Sequence, residues 1–328
     1  MLSPLPITAL RRRAAVRPTA PATIERGEQA PLAPVRRLPA HRAGGQRKRH
    51  QPRTAFVLAG GASLGALQVG MLRALYERDI QPDFLVGTSA GALNAAYVAS
   101  RPQTVETAKQ LGAVWRGLRR RDVFSLDPAT LFGGLASQRN HLVPNRPMRQ
   151  LVARHLGADR LEEMDVPLHL VAFDLLTGSE VRLSEGPALE AVLAAAAIPG
   201  LLPPVAWGDL LLVDGGVGNN TPISHAVELG AERIYVLPTQ DPGARGVPGA
   251  PRGAVAATAH AITLLIGARL QADLARYADA AQLIVLPAAN PRNVQPTDFG
   301  HADSLIITAL RAARKTLEPA PPSKNLAA

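Results

Sequence analysis

The chain has 328 residues, contains no cysteine and carries a formal net charge of +10. The lack of cysteine excludes disulfides, thiol catalysis and zinc–thiolate sites. The charge is concentrated in residues 1–54, where twelve Lys and Arg stand against Glu25 and Glu28, a net of +10 that equals the charge of the whole chain. Residues 55–328 are therefore neutral, so the basicity is a property of the leading segment alone.

Residues 1–53 are rich in Pro, Ala and Arg and show no apolar periodicity, which predicts a disordered basic arm. Two early prolines and the position of the charges argue against a secretory signal, so a cytoplasmic location is expected. The arm is either a solvated tail or a segment for peripheral contact with an anionic membrane, where each basic residue near the surface contributes about 1 kcal/mol of attraction. Nucleic-acid binding is disfavoured because the arm has no aromatic residue for stacking on bases.

No transmembrane helix is expected anywhere in the chain. The apolar stretch 191–207 contains Pro199, Pro203 and Pro204, and no other segment reaches about 18 apolar residues. Within that stretch Leu201, Leu202 and Trp207 are candidates either for plain core packing or for the wall of an acyl-binding site.

Short β-like runs alternate with helical runs along the rest of the chain. Strands are predicted at residues 54–59, 83–86, 167–173, 179–183, 210–213, 233–237 and 282–286, and helices at 65–78, 90–100, 104–120, 146–156, 187–197, 221–229, 252–278 and 302–316. The alternation predicts an α/β sandwich with a mainly parallel sheet, in one domain over residues 54–316 followed by a flexible tail at 317–328. Residues 122–145 are predicted to be irregular, either a lid or a connecting loop.

The first predicted strand runs into a Gly-rich turn, residues 60–65, at the start of a helix. Backbone N–H groups at such a turn form an anion site that suits either a phosphate or a developing oxyanion. A dinucleotide-binding loop is disfavoured, because Ala62 replaces one of its glycines and Asp83 begins a strand instead of ending one. Because a candidate nucleophile, Ser89, follows this turn in the chain, the turn is interpreted as an oxyanion hole formed by the backbone of Gly60, Gly61 and Ala62.

The second predicted strand leads into the sequence Gly-Thr-Ser-Ala-Gly at residues 87–91 and then into a helix of small residues. A serine presented at a sharp strand-to-helix turn needs small neighbours, and Gly87 and Gly91 supply them. The pattern indicates a nucleophile elbow with Ser89 as the nucleophile, which makes acyl transfer to serine the predicted reaction class.

A serine hydroxyl needs a neighbouring base, and two kinds of candidate follow Ser89 in the chain. His225, His260 and His301 would complete a histidine triad, but each lies in a helical or helix-start setting typical of a surface or capping residue. Asp214 instead ends an apolar strand and enters a loop that begins with Gly215 and Gly216 and continues to Asn219 and Asn220, whose side chains can hold it. A Ser-Asp dyad is the favoured interpretation.

The loop, the serine and the aspartate, in this order, resemble the bacterial patatin-like phospholipases over residues 54–315, with further similar stretches at 66–72, 195–200 and 219–222. The resemblance implies a three-layer α/β sandwich and a hydrolase of lipid acyl esters that works without a catalytic histidine, a cofactor or a metal. It makes Ser89 the nucleophile, Asp214 the general base, and the backbone around Gly61 and Ala62 the source of oxyanion donors.

Two positions depart from the family pattern: Ala62 stands where many members have a third glycine, and Leu64 stands where they have Arg or Lys. If position 62 requires a positive φ, the Cβ costs about 1 kcal/mol, and the missing cation weakens selection for an anionic head group. Two alternative functions stay open on the sequence alone. One is an acyltransferase or thioesterase that uses the same elbow, and the other is a non-catalytic lipid-binding protein.

Overall fold

The structure, a computed structural model, describes residues 51–125, 127–136, 138–242, 253–290 and 294–318. The predicted disordered arm and flexible tail, residues 1–53 and 317–328, fall almost wholly outside these ranges.

One central sheet contains the strands of the described residues: β1 (Thr54–Leu58), β2 (Phe84–Gly87), β3 (Leu168–Asp174), β4 (Ser179–Leu183), β5 (Val205–Trp207), β6 (Leu210–Asp214), β7 (Arg233–Leu237) and β8 (Gln282–Val285). The strand order is β5-β6-β3-β2-β1-β7-β8, and β4 pairs with β3. Strands β1, β2, β3, β7 and β8 pair in parallel, whereas β4, β5 and β6 pair antiparallel. The prediction of a mainly parallel sheet is confirmed.

Helices cover both faces of this sheet: α1 (Ala66–Tyr76), α2 (Ala90–Ala99), α3 (Val105–Gly117), α4 (Arg120–Val123), α5 (Pro128–Leu135), α6 (Arg146–His155), α7 (Ala188–Ala195), α8 (Ile223–Glu228), α9 (Ala254–Arg276) and α10 (Ala302–Thr316). Phe56 and Leu58 of β1 pack in a core with α1, α2, α3 and α10, whereas Ala55 and Val57 pack with α8 and α9. Because successive side chains of a strand point to opposite faces, this alternation gives the three layers of the predicted sandwich.

The structure departs from the sequence-based expectations in two places. Residues 122–145 are not wholly irregular, since α5 lies within them; the Asp127 side chain caps it by accepting a hydrogen bond from the Thr130 amide, and Pro128 occupies the first turn. Strand β5 was not predicted, because only three residues separate its paired prolines from the turn. The Gly208-Asp209 pair that connects it to β6 is a hairpin signal that would have found it.

The pairing register brings three chain segments to one edge of the sheet. Leu58 is paired with Gly87 at the ends of β1 and β2, and Ala172 of β3 is paired with Asp214 at the end of β6. Since Gly87 is itself paired with Leu170 of β3, the turn after β1, the turn after β2 and the end of β6 lie close together.

Candidate active site

Ser89 lies in the turn between β2 and α2 with φ +55° and ψ −125°. A non-glycine residue in this region is strained by about 1–3 kcal/mol and needs surrounding contacts to hold it. The Ser89 amide donates to the Ala195 carbonyl at 2.9 Å, and the preceding Thr88 hydroxyl donates to the Asn219 carbonyl at 3.1 Å. The serine is therefore fixed on a sharp turn from both sides.

The two glycines of the elbow are required by close approach of the backbone. A Cβ on Gly91 would lie 2.1 Å from the Leu58 carbonyl oxygen, and one on Gly87 would lie 2.7 Å from the Gly91 carbonyl oxygen. Both distances are well inside van der Waals contact, so side chains at these positions would push α2 away from β1.

Asp214 ends β6 and is nearly inaccessible to solvent, with 5% of its surface exposed. Its carboxylate accepts a hydrogen bond from the Gly216 amide at 2.7 Å, and the Ser89 side chain lies near enough to act on its pKa. Burial raises the pKa of Asp214 to about 6, and Ser89 and the Gly216 amide oppose that rise because they stabilise the charged form. The structure therefore places Ser89 beside a buried carboxylate.

The loop after Asp214 is packed directly against the sheet and against the turn after β1. A Cβ on Gly215 would lie 2.3 Å from the Val171 carbonyl oxygen, so glycine is needed there. The Asn220 carbonyl accepts the Gly60 amide at 3.0 Å, and the Asn220 side chain donates to the Gly60 carbonyl at 3.2 Å. Asn219 is anchored elsewhere, by donation to Glu180 at 2.8 Å. The expectation that these asparagines hold the loop agrees with their contacts.

The turn after β1 offers fewer free amides than the sequence suggested. The Gly60 amide is committed to Asn220, so Gly60 positions the turn and is not available as an oxyanion donor. Gly61 and Ala62 have no hydrogen-bond acceptor for their amides among the described residues, and the same holds for Ala90, the first residue of α2. A Cβ on Gly60 would lie 2.9 Å from the Ser89 Cβ, which shows how closely the turn approaches the serine.

The two departures from the family pattern have distinct structural settings. Ala62 has φ +48°, so the position does require the left-handed region. Leu64 is buried in the main core, with 5% of its surface exposed, where an apolar side chain is favoured.

Exchanging glycine and alanine at the two turn positions is expected to have unequal effects. Ala62→Gly relieves about 1–2 kcal/mol of backbone strain in the folded state but increases the conformational entropy of the unfolded chain. Because the two effects oppose each other, the free energy of unfolding should change by less than about 1 kcal/mol, and activity should persist. Gly61→Ala places a Cβ 2.3 Å from the Thr239 Oγ1. It should cost about 1–3 kcal/mol and lower ester hydrolysis about tenfold or more, because the turn must move.

Urea unfolding and initial rates of ester hydrolysis measure both effects. Equal stability and equal rates for Gly61→Ala and the parent chain would contradict the close contact between Gly61 and Thr239.

An apolar pocket opens beside Ser89, with an empty volume of about 800 Å³ including its mouth. Most of its lining side chains are hydrocarbon; those with a nitrogen or oxygen atom are Ser89, Asn94, Tyr97, Trp115 and His155. Of the residues expected to form an acyl-binding wall, Leu202 lines the pocket and Leu201 and Trp207 do not.

The family model described as patatin-like phospholipase matches residues 56–227, just over half of the chain. The chain belongs to this family. The match contains the turn after β1, the elbow at Ser89 and the strand that ends at Asp214.

Curated relatives match more than half of this chain but are longer than it. An uncharacterized NTE family protein of Mycobacterium tuberculosis is 27% identical over 309 residues, which is 88% of this chain and 51% of the relative. Lysophospholipase nte1 of Aspergillus terreus is 27% identical over 189 residues, 56% of this chain and 12% of that protein. The chain thus spans about half the length of the first of these relatives.

Solved structures with some likeness include VipD from Legionella pneumophila, with a TM-score of 0.43 and 13% identity over 80% of this chain and 67% of that one. Human GIVD cytosolic phospholipase A2 has a TM-score of 0.40 and 13% identity, covering 81% of this chain and 59% of that one.

Within the ranges that the structure describes, no histidine is hydrogen-bonded to Ser89. His225 bonds through Nε2 to Glu180 at 3.1 Å, and His301 pairs through Nε2 with Asp298 at 3.3 Å. Among the described residues that line the pocket the single histidine is His155, which contributes to it from the last turn of α6. The described part of the chain also contains no cluster of three or more His, Asp or Glu side chains placed to hold a metal ion.

A buried polar network that the sequence analysis missed joins the turn to the elbow helix. The Gln68 side chain donates to the Ala59 carbonyl at 2.7 Å, just before the turn, and Asn94 donates to the Gly65 carbonyl at 2.9 Å, at its end. Asn94 also donates to Gln68 at 2.8 Å and accepts from the Trp115 indole at 2.8 Å. A single amide residue within the otherwise apolar helix α2 is the sequence signal that could have pointed to it.

Proposed function

We propose that this chain is a serine hydrolase of fatty-acyl esters, including those of phospholipids, with Ser89 as nucleophile and Asp214 as general base. The observation that carries the proposal is the position of Ser89, which lies beside the buried carboxylate of Asp214 and lines an apolar pocket. Membership of the patatin-like phospholipase family favours the same substrate class.

In the first half-reaction the Ser89 oxygen attacks the ester carbonyl carbon while its proton passes to Asp214. A base whose pKa lies near 6 is mostly ionised at neutral pH, yet it holds the proton more readily than an ordinary aspartate. The tetrahedral oxyanion is stabilised by the unpaired amides of Gly61, Ala62 and Ala90. The bond to the alcohol then breaks, the alcohol leaves with the proton from Asp214, and Ser89 carries the acyl group.

In the second half-reaction water attacks the acyl-enzyme carbonyl and transfers a proton to Asp214. The same amides stabilise the second oxyanion. The bond to the Ser89 oxygen breaks, the serine recovers its proton from Asp214, and the fatty acid leaves. Each carbonyl attack therefore uses the same base and the same donors.

The pocket supports a fatty-acyl group as the part of the substrate that is bound. Its hydrocarbon walls begin at Ser89, so a methylene chain attached to the reacting carbonyl would enter them directly. Burial of apolar surface stabilises such a complex by about 25 cal/mol for each Å² removed from water.

Two measurements test the proposal together. We expect the protein to hydrolyse p-nitrophenyl esters and phospholipid vesicles, and an alkyl fluorophosphonate to label Ser89 covalently, located by peptide mass spectrometry. Labelling of Ser89 together with acyl transfer that exceeds hydrolysis when an acceptor alcohol or thiol is added would instead indicate an acyltransferase. Absence of both labelling and hydrolysis, with the fold intact, would leave a non-catalytic lipid-binding protein.

We further propose that the basic segment of residues 1–53 gives peripheral contact with anionic membranes, on the basis of its net charge. Deleting residues 1–50 should weaken binding to phosphatidylserine-containing vesicles and reduce its salt dependence, as measured by co-sedimentation. Hydrolysis of a water-soluble p-nitrophenyl ester by the deletion variant is the control and should not change. Vesicle binding with an unaltered salt dependence would contradict the proposal.

No helix in the described ranges is both long and apolar enough to cross a bilayer.

A further inference from the structure

The apolar pocket follows the axis of helix α2 away from the nucleophile. Ala90, Leu93, Ala96 and Tyr97 of this helix line it, and Ser89 immediately precedes the helix. From Ser89 to Tyr97 the helix advances eight residues, which corresponds to about 12 Å at 1.5 Å for each residue. The pocket therefore has a defined direction and a measurable depth.

The far end of the pocket is closed by side chains held in place by one arginine. Tyr97, His155 and Leu156 line this end, and the rings of Tyr97 and His155 lie 6.3 Å apart. The Arg101 guanidinium stacks on the Tyr97 ring at 3.9 Å and donates to the Tyr97 carbonyl at 2.8 Å and to the His155 carbonyl at 2.9 Å. Because Arg101 joins the ends of α2 and α6, the end wall is fixed.

A second cavity lies beside the apolar pocket, between α3 and α6. It shares four lining residues with that pocket, Val114, Leu118, Leu151 and His155, and of these His155 also belongs to the end wall. Only one layer of side chains therefore separates the two spaces. The outer cavity also has the polar side chains of Asp122, Gln150 and Arg154 in its lining, which makes it unsuited to methylene groups in its present form.

We propose that this pocket selects medium-chain acyl groups, of about ten carbons, and that Leu151 and its neighbours in the shared wall exclude longer chains. An extended chain advances about 1.2 Å for each bond, as the reach of an extended polypeptide shows, so about 12 Å accommodates about ten bonds. The inference rests on the proposed hydrolase function. Longer chains must either leave their ends in water or displace the wall.

The test is the chain-length profile of kcat/KM for p-nitrophenyl esters from butyrate to palmitate, given in mixed micelles. The parent chain should peak near decanoate. Ala96→Leu adds a side chain in the middle of the pocket and should move the peak to shorter esters. Leu151→Ala opens the shared wall and should raise the palmitate-to-decanoate ratio about tenfold. Leu274→Ala is the matched control, since Leu274 is likewise partly buried but packs against the other face of the sheet, and its profile should equal that of the parent.

A profile that is flat from decanoate to palmitate, and unchanged in Ala96→Leu and Leu151→Ala, would overturn the inference while leaving the hydrolase function intact. Lack of hydrolysis of every ester by the parent chain would overturn the function itself. If either variant fails to fold, the labelling rates of the parent chain with octyl and hexadecyl fluorophosphonates decide the question: faster labelling by the octyl probe supports the inference and equal rates contradict it.

Discussion

Replacing Ser89 by alanine is expected to lower kcat for ester hydrolysis by at least about a thousandfold, because the proposed acyl-enzyme could no longer form. Asp214→Asn should lower it by a comparable factor, since an amide has no charge with which to accept the serine proton. The double variant should lose no more than about what the worse single variant loses, because the two residues act in one step. Initial rates with p-nitrophenyl decanoate measure all three.

Histidine variants are the control for this first prediction. His301→Gln and His260→Gln should leave kcat within about threefold of the parent, since neither residue is seen to hydrogen-bond to Ser89 in the described part of the chain. Activity that survives in Asp214→Asn and disappears in His225→Gln, His260→Gln or His301→Gln would replace the dyad by a histidine triad.

Asp214→Asn is also expected to stabilise the folded protein at neutral and alkaline pH. Burial raises the pKa of Asp214 from its ordinary value of 3.8 to about 6, so the folded state holds this proton more tightly than the unfolded chain. Ionisation of the buried Asp214 therefore lowers the free energy of unfolding. This loss is absent below about pH 4, grows as the pH rises, and is complete above about pH 6. A difference of about two pH units corresponds to about 3 kcal/mol. Urea unfolding of parent and variant at about pH 4 and pH 8 measures the change.

In the proposed mechanism the pKa of Asp214 also sets the pH dependence of the reaction. Because Asp214 must be ionised to accept a proton, kcat/KM of the parent should rise about tenfold for each pH unit below about 6 and level off above it. A plateau that extends well below pH 5 would show that Asp214 is not the titrating base.

Asp174→Asn is the matched control for stability, because Asp174 is an aspartate at the end of the neighbouring strand β3 whose pKa is shifted in the opposite direction. Its carboxylate accepts hydrogen bonds from the Thr177 hydroxyl at 2.6 Å and the Leu211 amide at 3.0 Å, and these lower its pKa. The ionised Asp174 stabilises the folded protein above the pKa that Asp174 has in the unfolded chain, and this stabilisation is lost as the pH falls. Asp174→Asn should therefore lower the free energy of unfolding most at neutral pH. Stabilisation by both substitutions would indicate a general charge effect instead of the burial of Asp214.

Much of the sheet was predictable because its strands are marked locally. Strands β1, β2 and β7 are short apolar runs bounded by turn residues, and their predicted ends differ from the observed ends by at most one residue. Local sequence patterns did not predict the elements that are marked by only a few residues. Three residues of β5 are too few to show a period, and α5 is marked chiefly by its capping residue Asp127.

The order of turn, serine and aspartate, and the small residues that each needs, were determined by the sequence alone, because sharp turns and close backbone contacts restrict residue type locally. Only the tertiary structure decided which groups meet. The approach of Ser89 to Asp214, the hydrogen bond from the Gly60 amide to the Asn220 carbonyl, and the raised pKa of Asp214 all depend on segments far apart in the chain. The depth of the pocket depends in the same way on the packing of α2 against α6, which no local pattern encodes, because burial and contact distance are properties of the assembled layers.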